Sequence, residues 1–525
     1  MRAWREALLG LCSIGLGAQP PGISQNGVMS AAAHTPTALP GGEIARGARF
    51  LIRGVRLGAE LSSVQVTLHH GGRRIQVPVR SAQPLEIEAL MPPQAPAGAG
   101  ELVVETSEGP AKPFAISLVD SRLGLYAANG RGWGRGRIEN LGAGGRVSAN
   151  TPANPAQPGG MAAVLATGLG NARQVEMVIG GRQTPAASIQ REFEPGVEKI
   201  QFRVPIGAPT GCFVPVYART RGTAPSNIVT MAIAAAQSPC SQSDQLLTAA
   251  GAGRMGLVAL TRTLNLFSGG QPSITEDQAH AIFMHVDPSA IDRSPLSMLP
   301  PAGQCNGLTG DYHTDLESLA TVPGMAGMVD GKELDAGTAV TLSGPDGSRN
   351  VPRSRGSLGS HWTVLGVDNP KLPRAPGLFL SSTDFRIAVG GGPDVEPFQR
   401  NWAGPANVEW TNQDVFQTVA RKRSAKFLWR GAPHDAMIVV AMLAVDEQTA
   451  AGAICYCTAH ADTGSITVPV EMFAHFPDGT APQTIQNSSM LMAIQRRIEI
   501  PSAIRGLDGL MLLSTFANVR RTKYQ

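Results

Sequence analysis

The stretch Val204-Pro205-Ile206-Gly207-Ala208-Pro209-Thr210-Gly211 occurs twice in this chain. Its twin, Met91-Pro92-Pro93-Gln94-Ala95-Pro96-Ala97-Gly98, stands 113 positions earlier. The flanks keep that spacing: Ile87 and Ile200 lead in by alternation, and Gly109 and Gly222 mark the next turn. Self-similarity at a fixed period marks a repeated structural unit. The simplest reading is two copies of one β-domain, each of about a hundred residues.

Local patterning supplies the strands. Val64, Val66 and Leu68 alternate with polar residues, Gly71-Gly72 follows, and Ile75, Val77 and Val79 alternate again. A two-residue primed turn at Gly71-Gly72 sets Leu68 opposite Ile75, Val66 opposite Val77 and Val64 opposite Val79. All six apolar side chains then share one face. The second copy repeats the plan: Pro158-Gly159-Gly160 opens it, Val175 to Ile179 runs into Gly180-Gly181, and Ile200, Phe202 and Val204 alternate into the repeated motif. Short strands punctuated by Gly and Pro at this density predict two antiparallel sheets in an immunoglobulin-sized sandwich. The expected fold class is all-β, with tandem immunoglobulin-like β-sandwiches followed by a larger β-rich C-terminal region.

Beyond residue 241 the repeat is lost, but strand signals return at Leu257 to Phe267, Ala339 to Leu342, Phe385 to Val389, Ile438 to Val445 and Leu510 to Phe516. Thr275-Glu276-Asp277-Gln278 has the form of a helix-capping quartet. Residues 1–18 read as a secretory signal, with Arg2 and Arg5 ahead of the apolar run from Ala7 to Leu16. The expected division is a signal at 1–18, a flexible leader at 19–35, sandwiches at 36–120 and 121–240, a β-rich domain at 241–393 and a further sandwich at 394–525.

Composition narrows the partners. A net charge of +4 over 525 residues implies no nucleic-acid partner. No stretch approaches ~18 consecutive apolar residues, so no transmembrane helix is predicted. Export makes disulfides expected among Cys212, Cys240, Cys305, Cys455 and Cys457. Cys212 follows the repeated motif and Cys240 the domain's last strand, and a bond between them would stabilise the fold by roughly 3 kcal/mol. Cys305 is expected to bond one of Cys455 and Cys457, whose C-x-C spacing is read as placing the two thiols on opposite faces of a strand.

Catalytic signatures are few. The Gly130-Arg131-Gly132-Trp133-Gly134-Arg135-Gly136 run has its third glycine at the wrong spacing for a dinucleotide loop and is read as a flexible turn between the sandwiches. Gly327 to Lys332 lacks the first glycine of a phosphate loop, and no Gly-x-Ser-x-Gly occurs. Asp311, His313, Asp315 and Glu317 would share one face of an extended strand as oxygen and imidazole ligands, although a solvated loop is the plainer reading. His280 and His285, five apart, fall on opposite faces of a strand, and His69 and His70 are read as exposed turn residues. Arg421-Lys422-Arg423 reads as a solvated strand end. Trp402, Trp410 and Trp429 are read as core residues in preference to a sugar-stacking platform. Catalytic residues, cofactors and metals are expected to be absent.

Several phrases resemble an uncharacterised family of secreted bacterial proteins with tandem immunoglobulin-like modules: Asn154-Pro155-Ala156, Ala166-Thr167-Gly168-Leu169-Gly170, Gly211-Cys212-Phe213-Val214-Pro215-Val216 and Ser226-Asn227. The C-terminal half is similar to a β-rich module of the same proteins, through Leu334-Asp335-Ala336-Gly337, Gly391-Gly392-Pro393-Asp394-Val395, Trp410-Thr411-Asn412 and Thr467-Val468-Pro469. Within that resemblance, Cys457 is the preferred partner of Cys305. The resemblance implies a fold and an exported location, and no reaction. The expected function is that of an exported non-enzymatic protein for adhesion, surface display or ligand binding, its partner an extracellular protein or glycan. The alternative is a carbohydrate-active or other hydrolase with a site in the C-terminal region.

Overall fold

The computed structural model describes residues 20–236, 238–240, 253–266, 273–287, 299–316, 331–371, 377–381, 384–477, 487–499 and 503–525. The signal expected at 1–18 lies outside these. The chain is all-β. Among the described residues no helix is long and apolar enough to cross a membrane.

The first sandwich packs two sheets over Phe50, Ile52, Val66, Leu68, Ile87 and Leu102. One has the order Gly22–Ser30, Arg49–Val55, Glu86–Leu90, Val79–Gln83; the other runs Ile44–Ala45, Phe114–Val119, Gly98–Thr106, Gln65–His70, Arg73–Val77. Gly71 (φ 55°) and Gly72 (φ 77°) are both left-handed, as a type I′ turn requires, and they set Leu68 opposite Ile75 and Val66 opposite Val77. The third expected pair, Val64 with Val79, does not form. Pro78 has no N–H to continue the ladder, and the chain crosses there to the other sheet, where Val79–Gln83 pairs with Glu86–Leu90. Residues 22–30, expected as flexible leader, are instead an edge strand paired antiparallel with Arg49–Val55 across a register shift between Ile23 and Val28, with Val28 opposite Ile52. Nothing in their own pattern announces a strand; the partner ladder and the burial of Val28 make it one.

Both copies of the repeated motif fold alike. Ala95 N–H donates to Pro92 C=O and Ala208 N–H to Pro205 C=O, each at 3.0 Å. Gly98 and Gly211 then each begin a nine-residue strand. In the second sandwich, Gly180 (φ 52°) and Gly181 (φ 75°) repeat the primed turn. Its long strand Arg182–Glu194 serves both layers: its start pairs with Glu176–Ile179, and beyond a register shift at Ala186 to Ser188 its remainder pairs with Val197–Arg203. Cys212 and Cys240 are bonded, with Cα atoms 5.4 Å apart.

The C-terminal region is built on one nine-stranded sheet. Its order is Cys305–Asp311, Ala451–His460, Met437–Val445, Ser488–Glu499, Gly509–Arg521, Gly253–Leu266 and Ile274–Val286, with Gly331–Glu333 and Ser360–Asp368 both on the far side of Ile274–Val286. Strands from either side of Pro393 interleave, so the division expected there does not separate two sheets. They join twice, in the antiparallel pairing of Cys305–Asp311 with Ala451–His460 and the parallel pairing of Gly253–Leu266 with Gly509–Arg521. Runs such as Met437–Val445 are apolar without alternation because both faces are covered. One face packs at one end on an aromatic layer of Trp410, Phe416, Phe427, Trp429 and Phe473, and at the other on the sheet of Gly347–Pro352, Ala339–Gly344, Asp384–Val389 and Phe398–Ala403.

Two local expectations need correction here. Thr275-Glu276-Asp277-Gln278 caps no helix; it lies inside the strand Ile274–Val286, where the odd residues Asp277, Ala279, Ala281 and Phe283 are buried and the even ones half-buried. That period of two overrides the capping signature. Cys455 and Cys457, two apart in one strand, share a face and a core cluster, with Tyr456 on the other face. Cys457 bonds Cys305 across 152 positions. Cys455 is a free thiol opposite Gly307, and burial pushes it up to about 12, so it stays protonated and unreactive.

Candidate functional site

Much of the chemistry singled out in sequence is engaged where the three units meet. The glycine-tryptophan loop is no free turn. Gly130, Gly132 and Gly134 take φ values of 66°, 76° and 80°, and they aim Trp133 into the second face of the nine-stranded sheet. There it is 4% exposed, clustered with Leu257, Tyr456 and Met492. A Cβ on Gly132 would lie 2.4 Å from the Ala33 carbonyl oxygen, so only glycine permits this approach. Buried Asn227 fixes the loop, its amide donating to the carbonyls of Leu125 (2.9 Å) and Gly132 (2.7 Å) while its Oδ1 accepts from Leu125 N–H (2.8 Å). Arg219 reaches from the second sandwich to Glu471 at 2.7 Å. The His475 Nδ1–H donates to the Pro40 carbonyl at 2.9 Å, joining the first sandwich to the C-terminal region.

The metal candidate is part of this joint. Asp311 Oδ2 accepts from Asn26 Nδ2 at 2.6 Å, and its Oδ1 accepts from His313 N–H at 3.0 Å. The strand ends at Asp311 and a wide turn, Tyr312–Leu316, follows, which breaks the period of two that would have aligned the four side chains. Glu317 and the Asp315 side chain lie outside the described residues, as do Gly327 to Asp330 of the glycine-lysine run. Among the described residues no group of three or more His, Cys, Asp and Glu could hold a metal ion. His280 and His285 do face opposite ways, the first half-buried and the second exposed. His69 and His70 are half-buried, contrary to expectation, because the hairpin end packs on the Gly98–Thr106 strand. Arg421 ties down the chain end, N–H to the Gln525 carbonyl and guanidinium to the Phe476 carbonyl, each at 2.7 Å.

The joint holds a small, partly open cavity lined in part by Tyr217, Ser226, Ile228, Leu308, Ile454 and His475. At about 30 Å³ it has room for one or two waters and none for a sugar ring.

Two buried groups make the sandwiches pH-sensitive in opposite directions. Burial pushes the Glu198 carboxyl up from 4.5 to about 7. Burial, with Arg53 beside it, pushes the His34 imidazole down from 6.5 to about 3. The stabilisation linked to Glu198 is complete below 4.5 and is lost as pH rises through about 7; that linked to His34 is complete above 6.5 and is lost as pH falls through about 3. Glu198→Gln should therefore leave stability unchanged or lower near pH 5 and raise it near pH 8 relative to the parent, a relative gain on the order of 2–3 kcal/mol. Urea midpoints at the two pH values read this directly. A variant that tracks the parent across the range would contradict it.

The tryptophans separate by layer. Trp410 and Trp429 are buried, and Trp429 Nε1–H donates to the Ala461 carbonyl at 2.8 Å. Trp402 is half-buried under the Arg497 guanidinium. Among the described residues the exposed one is Trp362, which sequence reasoning passed over. It lies on Ser360–Asp368, directly opposite His280, with ring centroids 6.0 Å apart. It is 45% exposed, and Val364, two along on the same face, 39%. Opposite Val364 stands Gln278, whose Nε2–H is bonded to Glu276 Oε1. Alternation along the strand sends Leu365 into the core and leaves Trp362 and Val364 outward, and the bulge that follows sets Gly366 opposite Asp277. The result is an apolar shelf at the rim of the sheet, bordered by an amide, a carboxylate and an imidazole.

No family model matches the chain, and no curated protein matches it. Among solved structures it is similar to the surface glycan-binding protein SGBP-B of Prevotella bryantii, at 12% identity over 39% of this chain and 41% of that one, with a TM-score of 0.15. It is also similar to the SGBP-B of the Bacteroides ovatus mixed-linkage glucan utilization locus, at 11% identity over 82% of this chain and 94% of that one, with a TM-score of 0.13. A tandem from titin aligns at 8% identity over 68% and 93% of the two chains, with a TM-score of 0.13. Superpositions this loose carry no argument about function, and the all-β architecture rests on the strand pairing itself.

Proposed function

We propose that the chain is an exported, non-enzymatic binding protein of the cell surface or its surroundings, in which two immunoglobulin-like sandwiches are locked to a larger β-rich region that meets an extracellular ligand. The observation that carries this reading is the contrast between the joint and the shelf. Asp311, Glu471 and His475 bond across unit boundaries, and the cavity that Glu471 and His475 help to line is water-sized. Trp362 and Val364 stand outward on an open sheet rim. A rigid body with an outward apolar feature and its polar groups committed to internal joints suits recognition better than turnover.

The test is a binding screen of the mature chain against immobilised polysaccharides and cell-envelope proteins, run alongside an assay for reducing-end release. Saturable capture without release supports the reading. Release of sugar at a rate above that of a heat-denatured control would overturn it in favour of a hydrolase.

A further inference from the structure

We infer that the Trp362 shelf is a stacking subsite for a neutral pyranose ring of a glycan. This rests on the reading of the chain as a binding protein and names its ligand class. A pyranose offers a flat face of C–H groups with hydroxyls around its edge. An indole plane of matching size at the rim of a sheet takes the first, and donors and acceptors beside it take the second.

The shelf has both parts. Trp362 supplies the plane, half-open to solvent, with the His280 ring beside it on the neighbouring strand, 6.0 Å between centroids and tilted by 56°. Val364 extends the apolar strip along the strand. Gln278 and Glu276, already bonded to each other through one amide hydrogen, stand beside it with amide and carboxylate groups suited to sugar hydroxyls.

Size argues against a protein partner as sole occupant. A stable protein interface buries about 800 Å² on each side, and two exposed apolar side chains reach only part of that. Charge argues against an acidic sugar. On the outward face of Ile274–Val286 and Ser360–Asp368, Glu276 is the one formally charged side chain. His280 adds no positive charge at neutral pH, since burial pushes it down to about 4. On these two strands a uronate or sulfate would meet a carboxylate and no cation.

The experiment compares the full chain with Trp362→Ala and with Val147→Ala, an exposed apolar substitution on the second sandwich. Affinity electrophoresis in gels containing neutral β-glucan, xyloglucan or galactomannan, or the anionic polygalacturonate, gives relative dissociation constants. Far-ultraviolet circular dichroism and melting temperature check that each variant is folded. The inference expects retardation by at least one neutral polysaccharide, weakened roughly tenfold or more in Trp362→Ala and within about twofold of the parent in Val147→Ala. Neutral-glycan binding that Trp362→Ala leaves intact would sink the subsite and leave the binding-protein reading standing. Trp362-dependent binding of polygalacturonate alone would overturn the neutral class. Capture of an envelope protein with no retardation by any polysaccharide would overturn the glycan assignment but not the broader reading. No binding to any probe would count against both.

Discussion

Replacing Asp277 by alanine is expected to destabilise the chain by about 3–5 kcal/mol, among the largest effects of any single substitution here. Its side chain is fully buried and accepts four hydrogen bonds: Arg262 Nε at 2.7 Å, the other Arg262 arm at 2.8 Å, and the backbone N–H groups of Phe379 and Leu380, each at 2.7 Å. Arg262 also donates to the Leu380 carbonyl, so the pair clasps the 377–381 segment against the nine-stranded sheet. Alanine would leave a guanidinium in a largely buried site without its counter-charge and orphan two backbone donors. A buried ion pair contributes little net stability, because desolvation offsets attraction, but removing one partner exposes the whole penalty. The double variant Asp277→Leu with Arg262→Met should thus recover a good part of the loss, although the two orphan N–H groups keep it below the parent. Urea denaturation monitored by tryptophan fluorescence measures both. A single variant within 1 kcal/mol of the parent would show that water reaches the site and replaces the carboxylate.

How far the sequence could have revealed such features depends on the range of the interaction. The Gly71-Gly72 turn was legible because its conformation and its register are both local. So was the paired turn that opens each repeated motif, since Pro92 and Pro205 preset it. The crossing at Pro78 was readable too: a residue without an N–H in the middle of an alternating run is the signal that the ladder ends. The parity of Cys455 and Cys457 follows from period-two geometry alone. The single nine-stranded sheet was not legible, because its central parallel pair joins strands some 250 positions apart, Met255 opposite Gly509 among them. No local pattern records that pairing. The Gly22–Ser30 strand is the same case on a smaller scale. Trp362 sits between. Its strand alternates plainly, but whether the tryptophan faces core or solvent depends on which strand forms the rim, and that is a property of the assembled sheet. Likewise Asp311 was legible as an oxygen ligand and not as the acceptor for Asn26, which comes from a segment with no pattern of its own.

Trp133→Ala should cost about 3–5 kcal/mol as a large-to-small change in a packed cluster, and its more telling effect should be on cooperativity. Trp133 belongs by sequence to the second sandwich and by packing to the C-terminal sheet, so its loss removes an apolar link between two cores while leaving each sandwich's own core untouched. The parent chain should melt with the sandwiches and the C-terminal region closely coupled; the variant should show a separate, lower transition for the C-terminal region in scanning calorimetry. Trypsin offers a second reading, because Arg131 and Arg135 flank the tryptophan and a loop released from the sheet should be cut between Gly130 and Gly136 well before global unfolding. Gly132→Ala tests the same joint from the other side. Its φ of 76° and the carbonyl of Ala33 beneath it leave no space for a side chain, so it should loosen the loop with the indole still present. If both variants melt in one transition and resist trypsin as the parent does, the tryptophan is a passenger, and the sandwiches are held to the sheet by other contacts, among them Asn26, Arg219, His475 and the packing of Tyr217 and Ile228.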